Sequence, residues 1–192
     1  MDEHGIVVVI SGPPGAGKTT TARALARQYD LAVHLHTDDF WHAIVSGGVP
    51  PYLPGSDAQN HTVVEAIDHT VVEAIVAATF AYAEGGFTVV VDGIVGPWML
   101  GHYRHAMTVH PQVALDYVVL RPARRVALGR AQARTAGDAL VDPGPVLALW
   151  DQFAEFGELE PHVLDTAEQS PQETVDEVRA GLRGGRFRLS VV

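Results

Sequence analysis

The feature that most constrains the fold of this chain is a glycine-rich segment near its N-terminus, which reads Gly12-Pro13-Pro14-Gly15-Ala16-Gly17-Lys18-Thr19. The segment matches the pattern G-x-x-x-x-G-K-[ST] at every fixed position. A continuously apolar, β-branched run at residues 6–10 precedes it, and residues 19–28 carry alanine and leucine at helical spacing. An apolar strand, a glycine-rich loop and a helix in this order are the context that the pattern requires. The segment therefore predicts an α/β fold in which a buried strand leads through this loop into the first helix.

Lys18 is the only lysine of the chain, and the other 12 of its 13 lysine and arginine residues are arginine. A lysine kept inside a tight loop indicates that a compact ammonium is needed where the planar guanidinium of arginine would not fit. In this pattern the backbone amides cradle phosphates, the lysine reaches the outer phosphates, and the hydroxyl that follows binds Mg²⁺. We therefore expect residues 12–20 to bind a nucleoside triphosphate, with Thr19 on the cation and Thr20 near the inner phosphates.

Short apolar runs alternate with helical patterns along the rest of the chain. Strands are predicted at residues 6–10, 31–36, 87–91, 115–120 and 162–164. Helices are predicted at residues 19–28, 40–45, 62–82, 97–109, 122–134 and 146–156, and a last helix begins at Pro171. The strands are apolar throughout, which is typical of parallel strands buried on both faces. At 192 residues the chain fits a single α/β domain, residues 1–192, whose mostly parallel sheet is covered by helices on both faces.

The charge and the cysteine content exclude several classes of protein. The formal net charge is −10, from 23 acidic and 13 basic residues, which argues against a general nucleic-acid or membrane-surface partner. The absence of cysteine excludes disulfides and thiolate metal sites, and it fits a reducing cytoplasm. The acidic N-terminus is unlike a signal peptide, and no apolar run reaches membrane-spanning length. We expect a cytoplasmic protein, either a monomer or a homodimer.

Asp92 follows the predicted strand at residues 87–91. An acid at the carboxyl end of a buried parallel strand faces the crevice in which such sheets bind ligands. A carboxylate at that place can hold Mg²⁺ directly or through water. The alternative is an aspartate that caps a turn before Gly93.

Asp38 and Asp39 follow the second predicted strand. A phosphotransferase needs a carboxylate near the acceptor hydroxyl, to take its proton or to orient it. Either acid could serve, and the two neighbouring acids could divide these duties. The alternative is that they cap a helix that starts before Phe40.

A segment rich in glycine, proline and aromatic residues follows these acids, and residues 40–62 could shape an acceptor pocket. The candidate substrate residues on this side are Asp39, Trp41, His42, Tyr52, Asn60 and Trp98. Ordinary loop packing of the aromatic residues is the alternative. The remaining histidines are interpreted as structural or surface residues, because the i, i+3 pair His102 and His105 has no evident carboxylate neighbour for a zinc site.

An arginine-rich segment, predicted to act as a lid over residues 124–144, carries Arg130 and Arg134. Their spacing of four places them on one helix face, and arginines stabilise the charge that develops in phosphoryl transfer. The alternative is a solvated basic face.

The order of these motifs resembles that of the P-loop small-molecule kinases, the group of chloramphenicol phosphotransferase, shikimate kinase and gluconate kinase, which is related to the nucleoside monophosphate kinases. The resemblance extends over residues 6–179. It implies a three-layer P-loop NTPase fold with a five-stranded parallel sheet in the order 2-3-1-4-5. It also implies ATP and Mg²⁺ as cofactors.

The resemblance assigns roles to single residues. Asp38 corresponds to the base or acceptor-orienting acid, and Asp92 to the strand-end acid. Arg130 corresponds to the lid arginine that packs on adenine, and Arg134 corresponds to the lid arginine that touches phosphates. Residues 165–171 correspond to the loop that lies beside the adenine base. The substrate arginines of shikimate kinase are not recognisable here. The sequence Thr135-Ala136-Gly137-Asp138 stands where the gluconate kinase lid has a glycine-histidine pair after its arginine.

These observations together predict an ATP-dependent kinase that acts on a hydroxyl of a small molecule, either a metabolite or an antibiotic-like compound. Two alternatives stay open: an ATPase or regulator without such an acceptor, and a nucleoside monophosphate kinase, for which residues 41–84 offer no clear second anion site. A GTPase would need an Asn-Lys-x-Asp motif. The only lysine of this chain lies in the phosphate loop, so the motif is absent.

Overall fold

The computed structural model of the chain describes residues 4–47, 58–135 and 139–191, and it describes the side chains of the second range from residue 69 onward. Tyr52 and the side chain of Asn60, two of the predicted substrate residues, lie outside the described part, as do residues 48–57 of the predicted acceptor-side segment and the side chains of residues 58–62. None of the helices in the described part has the length and the apolar character needed to cross a membrane.

Five strands of the described residues form one sheet in which every pairing is parallel. They are β1 (Ile6–Ser11), β2 (Ala32–His36), β3 (Thr88–Asp92), β4 (Ala114–Leu120) and β5 (Val163–Leu164). Their order in the sheet is β2-β3-β1-β4-β5. This is the order that the resemblance to the P-loop kinases implied, so the predicted fold class is confirmed.

Helices cover both faces of the sheet. They are α1 (Lys18–Ala26), α2 (Thr37–His42), α3 (Ala58–Glu84), α4 (Leu100–Val109), α5 (Arg124–Gln132), α6 (Pro143–Asp151) and α7 (Pro171–Arg183). Val7 and Val9 of β1 belong to the buried cluster shared with α3 and α4. Val8 and Ile10 belong to a second cluster, shared with α1 and α7. Because successive side chains of a strand point to opposite faces, β1 contributes to both cores and is buried on both sides.

Several helix boundaries differ from the sequence prediction. Helix α2 begins at Thr37 rather than at residue 40, so Asp38 and Asp39 lie in its first turn. Acidic side chains are favourable there because they face the positive end of the helix dipole. Helix α6 begins at Pro143 rather than at residue 146, since the Asp142 side chain accepts a hydrogen bond from the Gly144 amide and proline fits the first helical turn.

The carboxyl ends of β2, β3 and β1 meet at one edge of the sheet, because the register pairs His36 with Asp92 and Asp92 with Ile10. Gly93 makes this junction possible. A Cβ atom at Gly93 would lie 1.9 Å from the Thr37 hydroxyl oxygen, so a larger residue would push the start of α2 away from β3. The sheet therefore brings the glycine-rich loop, Asp92 and the first turn of α2 together.

Candidate active site

The glycine-rich loop between β1 and α1 has a backbone that only glycine adopts easily. Gly15 has φ +79°, and a Cβ atom there would lie 2.0 Å from the Ala127 carbonyl oxygen of α5. Gly17, with φ 92°, is the N-cap residue of α1. The loop thus opens the amide end of a nine-residue helix toward the crevice, which is a favourable place for phosphate groups. The lack of a side chain at Gly15 also lets α5 lie directly against the loop.

Lys18 is buried, with only 8% of its surface exposed, and its Nζ donates a hydrogen bond to the Pro13 carbonyl oxygen at 3.0 Å. Burial and then the charge of Arg134 lower the pKa of Lys18 to about 8, against the opposing charges of Asp92 and Asp38. The ammonium is therefore held inside the loop, where anionic phosphates would be its natural counter-charge. The composition led us to expect that a guanidinium would not fit the same space, which remains a prediction.

Asp92 is completely buried at the end of β3. One of its carboxylate oxygens, Oδ2, accepts a hydrogen bond from Thr19 Oγ1 at 2.6 Å. The other, Oδ1, lies 2.5 Å from His34 Nε2 and 3.1 Å from His36 Nδ1. Burial alone would raise the pKa of Asp92, but the hydrogen bonds from His34, His36 and Thr19 outweigh it, and the net shift is downward. Asp92 is therefore an ionised carboxylate at neutral pH.

The Thr19–Asp92 pair has the donor set of a magnesium site. Mg²⁺ prefers oxygen ligands in an octahedron at about 2.0–2.1 Å, so two neighbouring ligands lie about 2.9 Å apart. The 2.6 Å between Thr19 Oγ1 and Asp92 Oδ2 is close to that separation. One hydroxyl and one ionised carboxylate, with the loop amides beside them, fit a cation that is shared with bound phosphates.

Asp38 is linked to this group through His36. The His36 Nε2 atom lies 3.4 Å from Asp38 Oδ2, while its Nδ1 faces Asp92. Hydrogen bonds to Asp38 and then to Asp92 raise the pKa of His36 to about 10. The same hydrogen bond from His36 lowers the pKa of Asp38, although partial burial opposes the shift. A protonated imidazole thus bridges two carboxylates, one buried beside the phosphate loop and one with 58% of its side chain exposed at the start of α2.

His34 and His36 were interpreted from the sequence as structural or surface residues, but both contact Asp92. Their i, i+2 spacing puts both side chains on the same face of β2. The strand order then places this face beside β3, with His36 in register with Asp92. The spacing was visible in the sequence, and the resemblance implied that β2 lies beside β3, but the register that puts His36 opposite Asp92 was not predicted.

A cavity of about 320 Å³ lies beside the glycine-rich loop. Arg130, Arg134 and Thr20 line it, together with residues of the segment that follows β5. Arg130 donates hydrogen bonds to the carbonyl oxygens of Thr166 and Ala167, at 3.1 and 3.2 Å, and so connects α5 to that segment. The volume suits a small ligand fragment such as a base with its sugar. The two predicted lid arginines and the predicted base-side loop therefore share one cavity with the phosphate loop.

The predicted substrate residues are distributed more widely. Trp41 of α2 lines a small cavity of about 20 Å³ with Thr37 and Tyr103, which has room for a water molecule only. Asp39 and His42 are exposed on α2. Trp98 is half exposed, and its ring meets that of Phe153 edge-on with 6.0 Å between the ring centroids. Trp98 thus contacts the segment that follows α6.

The loop that follows β3 is fixed to the neighbouring strands. Ser11 Oγ donates a hydrogen bond to the Val95 carbonyl oxygen at 2.7 Å and accepts one from the Val95 amide at 3.0 Å. Tyr117 of β4 donates to the same carbonyl at 2.6 Å. These buried bonds tie the loop after β3 to the end of β1 and to the middle of β4, so the carboxylate of Asp92 has a rigid support.

Comparisons with known proteins place these features in a family. Residues 7–154 match the model of a family described as an AAA domain. A stretch of 97 residues is 31% identical to cytidylate kinase from Staphylothermus marinus, and it spans 50% of this chain and 50% of that protein. The chain thus spans only about half the length of this curated relative.

Two solved structures share the fold at low identity. A sugar kinase from Janibacter sp. HTCC2649 has a TM-score of 0.66 and 21% identity over 93% of this chain and 95% of that one. A gluconokinase from Sinorhizobium meliloti 1021 has a TM-score of 0.65 and 19% identity over 97% and 95% of the two chains. Because the AAA domain model covers most of the chain and the sheet order, the phosphate loop and the structural neighbours agree with it, the chain belongs to the AAA domain family and has a P-loop kinase fold.

Proposed function

We propose that this protein is an ATP-dependent phosphotransferase that moves the γ-phosphoryl group of ATP to a hydroxyl of a small molecule. One observation carries the proposal. A continuous chain of polar contacts runs from Thr19 through Asp92 and His36 to Asp38. It connects the phosphate loop to an exposed carboxylate, which is where a second substrate would have to bind. Because 58% of the Asp38 side chain is exposed, an acceptor hydroxyl larger than water could reach this carboxylate.

The nucleotide would occupy the loop and the cavity beside it. The loop amides, the N-terminus of α1 and Lys18 would bind the β- and γ-phosphates. Arg130 and Arg134 would close over the nucleotide, with the base in the 320 Å³ cavity. Thr19 and Asp92 would hold Mg²⁺, which supplies charge neutralisation for the phosphates when it is bound.

Asp38 would act on the acceptor. Its carboxylate is exposed, and the hydrogen bond from His36 keeps it ionised. An acceptor hydroxyl bound there would donate its proton to Asp38 while its oxygen forms the new bond to the γ-phosphorus and the bond to the leaving ADP oxygen breaks. His36 would orient Asp38 without contacting the acceptor itself.

The charge on α2 favours a particular kind of acceptor. Asp38 and Asp39 both lie exposed in its first turn, and the single positive charge of His36 beside Asp38 leaves this side of the crevice net negative. An anionic acceptor would be repelled, whereas a neutral or cationic hydroxyl compound would not. A sugar, a polyol or a hydroxylated antibiotic-like compound therefore fits this side better than a nucleoside monophosphate does.

A nucleoside monophosphate kinase is the second candidate, because the partial likeness to a cytidylate kinase favours it. One experiment separates the candidates. ADP formation is measured with Mg²⁺ and ATP, with and without sugars, polyols, hydroxylated antibiotics or nucleoside monophosphates, and products are weighed by mass spectrometry. We expect a neutral or cationic hydroxyl compound to raise turnover and to gain one phosphoryl group. Phosphorylation of a nucleoside monophosphate alone would establish the second candidate. Turnover that never depends on an acceptor would overturn both.

A further inference from the structure

A group of three metal-binding side chains lies far along the chain from the phosphate loop, where α3 packs on α4. His69 and Glu73 belong to α3, and His102 belongs to α4. His69 Nε2 is 3.0 Å from Glu73 Oε1, and the rings of His69 and His102 have centroids 4.8 Å apart. One ligand atom from each residue lies within 4.8 Å of the others. The carboxylate that the sequence did not reveal beside His102 is thus supplied by the neighbouring helix.

The backbone holds these three residues together without a metal ion. The i, i+4 spacing of His69 and Glu73 puts both on one face of α3. Nearby residues of each helix are buried in the shared core, Val72 and Val76 on α3 and Tyr103 on α4. The two helices are therefore fixed relative to each other, and only side-chain rotations are needed to bring the ligand atoms closer. His69 and Glu73 each have 60% of the side chain exposed, which leaves room for such rotations and for an ion to enter.

The chemistry of the group selects a class of metal ion. Two imidazoles and one carboxylate are typical ligands of Zn²⁺ and of neighbouring transition metals, with water in the remaining position. Mg²⁺ and Ca²⁺ prefer oxygen ligands throughout, so they are poor candidates. As a bare ion pair, His69 and Glu73 would contribute little to stability because both are exposed. We propose that His69, Glu73 and His102 form a divalent transition-metal site that connects α3 to α4.

The site can be tested directly in the full chain, which is produced without a polyhistidine tag and stripped of metal. Co²⁺ is added in the presence of millimolar Mg²⁺, which occupies oxygen-rich sites such as the Thr19–Asp92 pair. We expect one Co²⁺ per chain, with a visible absorption band of low-coordinate cobalt that Zn²⁺ abolishes. We also expect Zn²⁺ to raise the midpoint of thermal unfolding, because a ligand that binds only the folded state stabilises it.

Matched variants decide whether these three residues are the ligands. His102→Gln and Glu73→Gln should each weaken Co²⁺ binding by at least about tenfold, since even loss of a residue that only supports a metal ligand costs that much. His105→Gln, an exposed histidine on the same helix, is the control and should bind as the unaltered chain does. Binding that is absent, that is equal in all four proteins, or that depends on His105 would overturn the assignment.

Discussion

His36 and Asp92 lie opposite each other on β2 and β3, with His36 Nδ1 3.1 Å from Asp92 Oδ1. The same imidazole reaches Asp38 with its other nitrogen. His36 therefore connects the two acidic residues that the sequence had suggested separately, one for Mg²⁺ and one for the acceptor. This connection is what makes the crevice a candidate for transfer between two substrates.

Asp38 should be essential for transfer but not for nucleotide binding. Asp38→Asn removes the proton acceptor and keeps the size of the side chain, so we expect kcat to fall by about 10²- to 10⁴-fold. The affinity for ATP, measured by calorimetry with Mg²⁺ present, should stay nearly unchanged. Asp39→Asn is the control and should keep most of the activity. A large loss of ATP binding in Asp38→Asn would make Asp38 a nucleotide or structural residue.

His36 should act as a positioning residue, and two variants separate its two contacts. The amide of His36→Asn can replace Nδ1 and keep the contact with Asp92, but it cannot reach Asp38. The longer side chain of His36→Gln can instead place an amide near Nε2. We expect kcat to fall in His36→Asn with little change in the KM for ATP, and His36→Gln to recover part of it. Equal losses in both variants, accompanied by a rise in the KM for ATP, would mean that His36 supports the nucleotide site only.

Lys18 should not tolerate arginine. Its Nζ is buried against the Pro13 carbonyl oxygen, so Lys18→Arg preserves the charge but exceeds the space inside the loop. We expect ATP to bind at least about tenfold more weakly, which corresponds to about 1.4 kcal/mol. Arg23→Lys, the reverse exchange at an exposed position of α1, should leave the affinity unchanged. An unaltered affinity in Lys18→Arg would refute the steric explanation of the single lysine.

Gly15 should be required for stability as well as for binding. An alanine there would have a positive φ of 79° and a Cβ atom 2.0 Å from the Ala127 carbonyl oxygen. We expect Gly15→Ala to lower the free energy of unfolding by at least about 2 kcal/mol. Gly129→Ala is the control in α5, where a Cβ atom would meet no neighbour within 4 Å, and it should raise stability by about 0.5–1 kcal/mol. Urea denaturation measures both, and a neutral Gly15→Ala would contradict the close approach of α5.

Asp116 should make stability depend on pH in the acid range. It is buried in β4, its Oδ1 has no hydrogen-bond partner among the described residues, and Oδ2 is 3.3 Å from Arg188 Nη2. Burial raises its pKa despite the opposing charge of Arg188. The folded state then binds this proton more tightly than the unfolded state, so ionised Asp116 costs stability at pH 7. That cost is relieved as the pH falls through the raised pKa toward 3.8.

Asp116→Asn removes this titration. When the pH is lowered from 7 to 4, the unfolding free energy of the unaltered chain should therefore rise relative to that of Asp116→Asn. Urea denaturation at both pH values measures the difference, in which the other carboxylates cancel. A difference that is constant, or that shifts toward the asparagine variant on acidification, would show that the Arg188 ion pair fully compensates the burial.

Local patterns in the sequence were sufficient for much of the fold. The apolar run before Gly12, the glycines of the loop and the helical spacing after Lys18 depend on residues that are neighbours in the chain, so their structure could be predicted. The same holds for Asp92, because a carboxylate that directly follows a buried strand must lie at the ligand-binding edge of the sheet. The boundary of α2 was wrong, because the dipole of the helix accepts Asp38 and Asp39 inside its first turn.

The tertiary structure alone decided which distant residues meet. His36 and Asp92 are 56 positions apart. The resemblance implied that β2 lies beside β3, but the register that puts His36 opposite Asp92 came only from the structure. Glu73 and His102 come together because α3 and α4 pack on one face of the sheet. The sequence by itself determined a phosphate loop, the types of its secondary-structure elements and two acids at strand ends. The pairing of strands and helices determined how those acids are connected, because hydrogen bonds and metal ligation depend on distances in space that residue spacing does not encode.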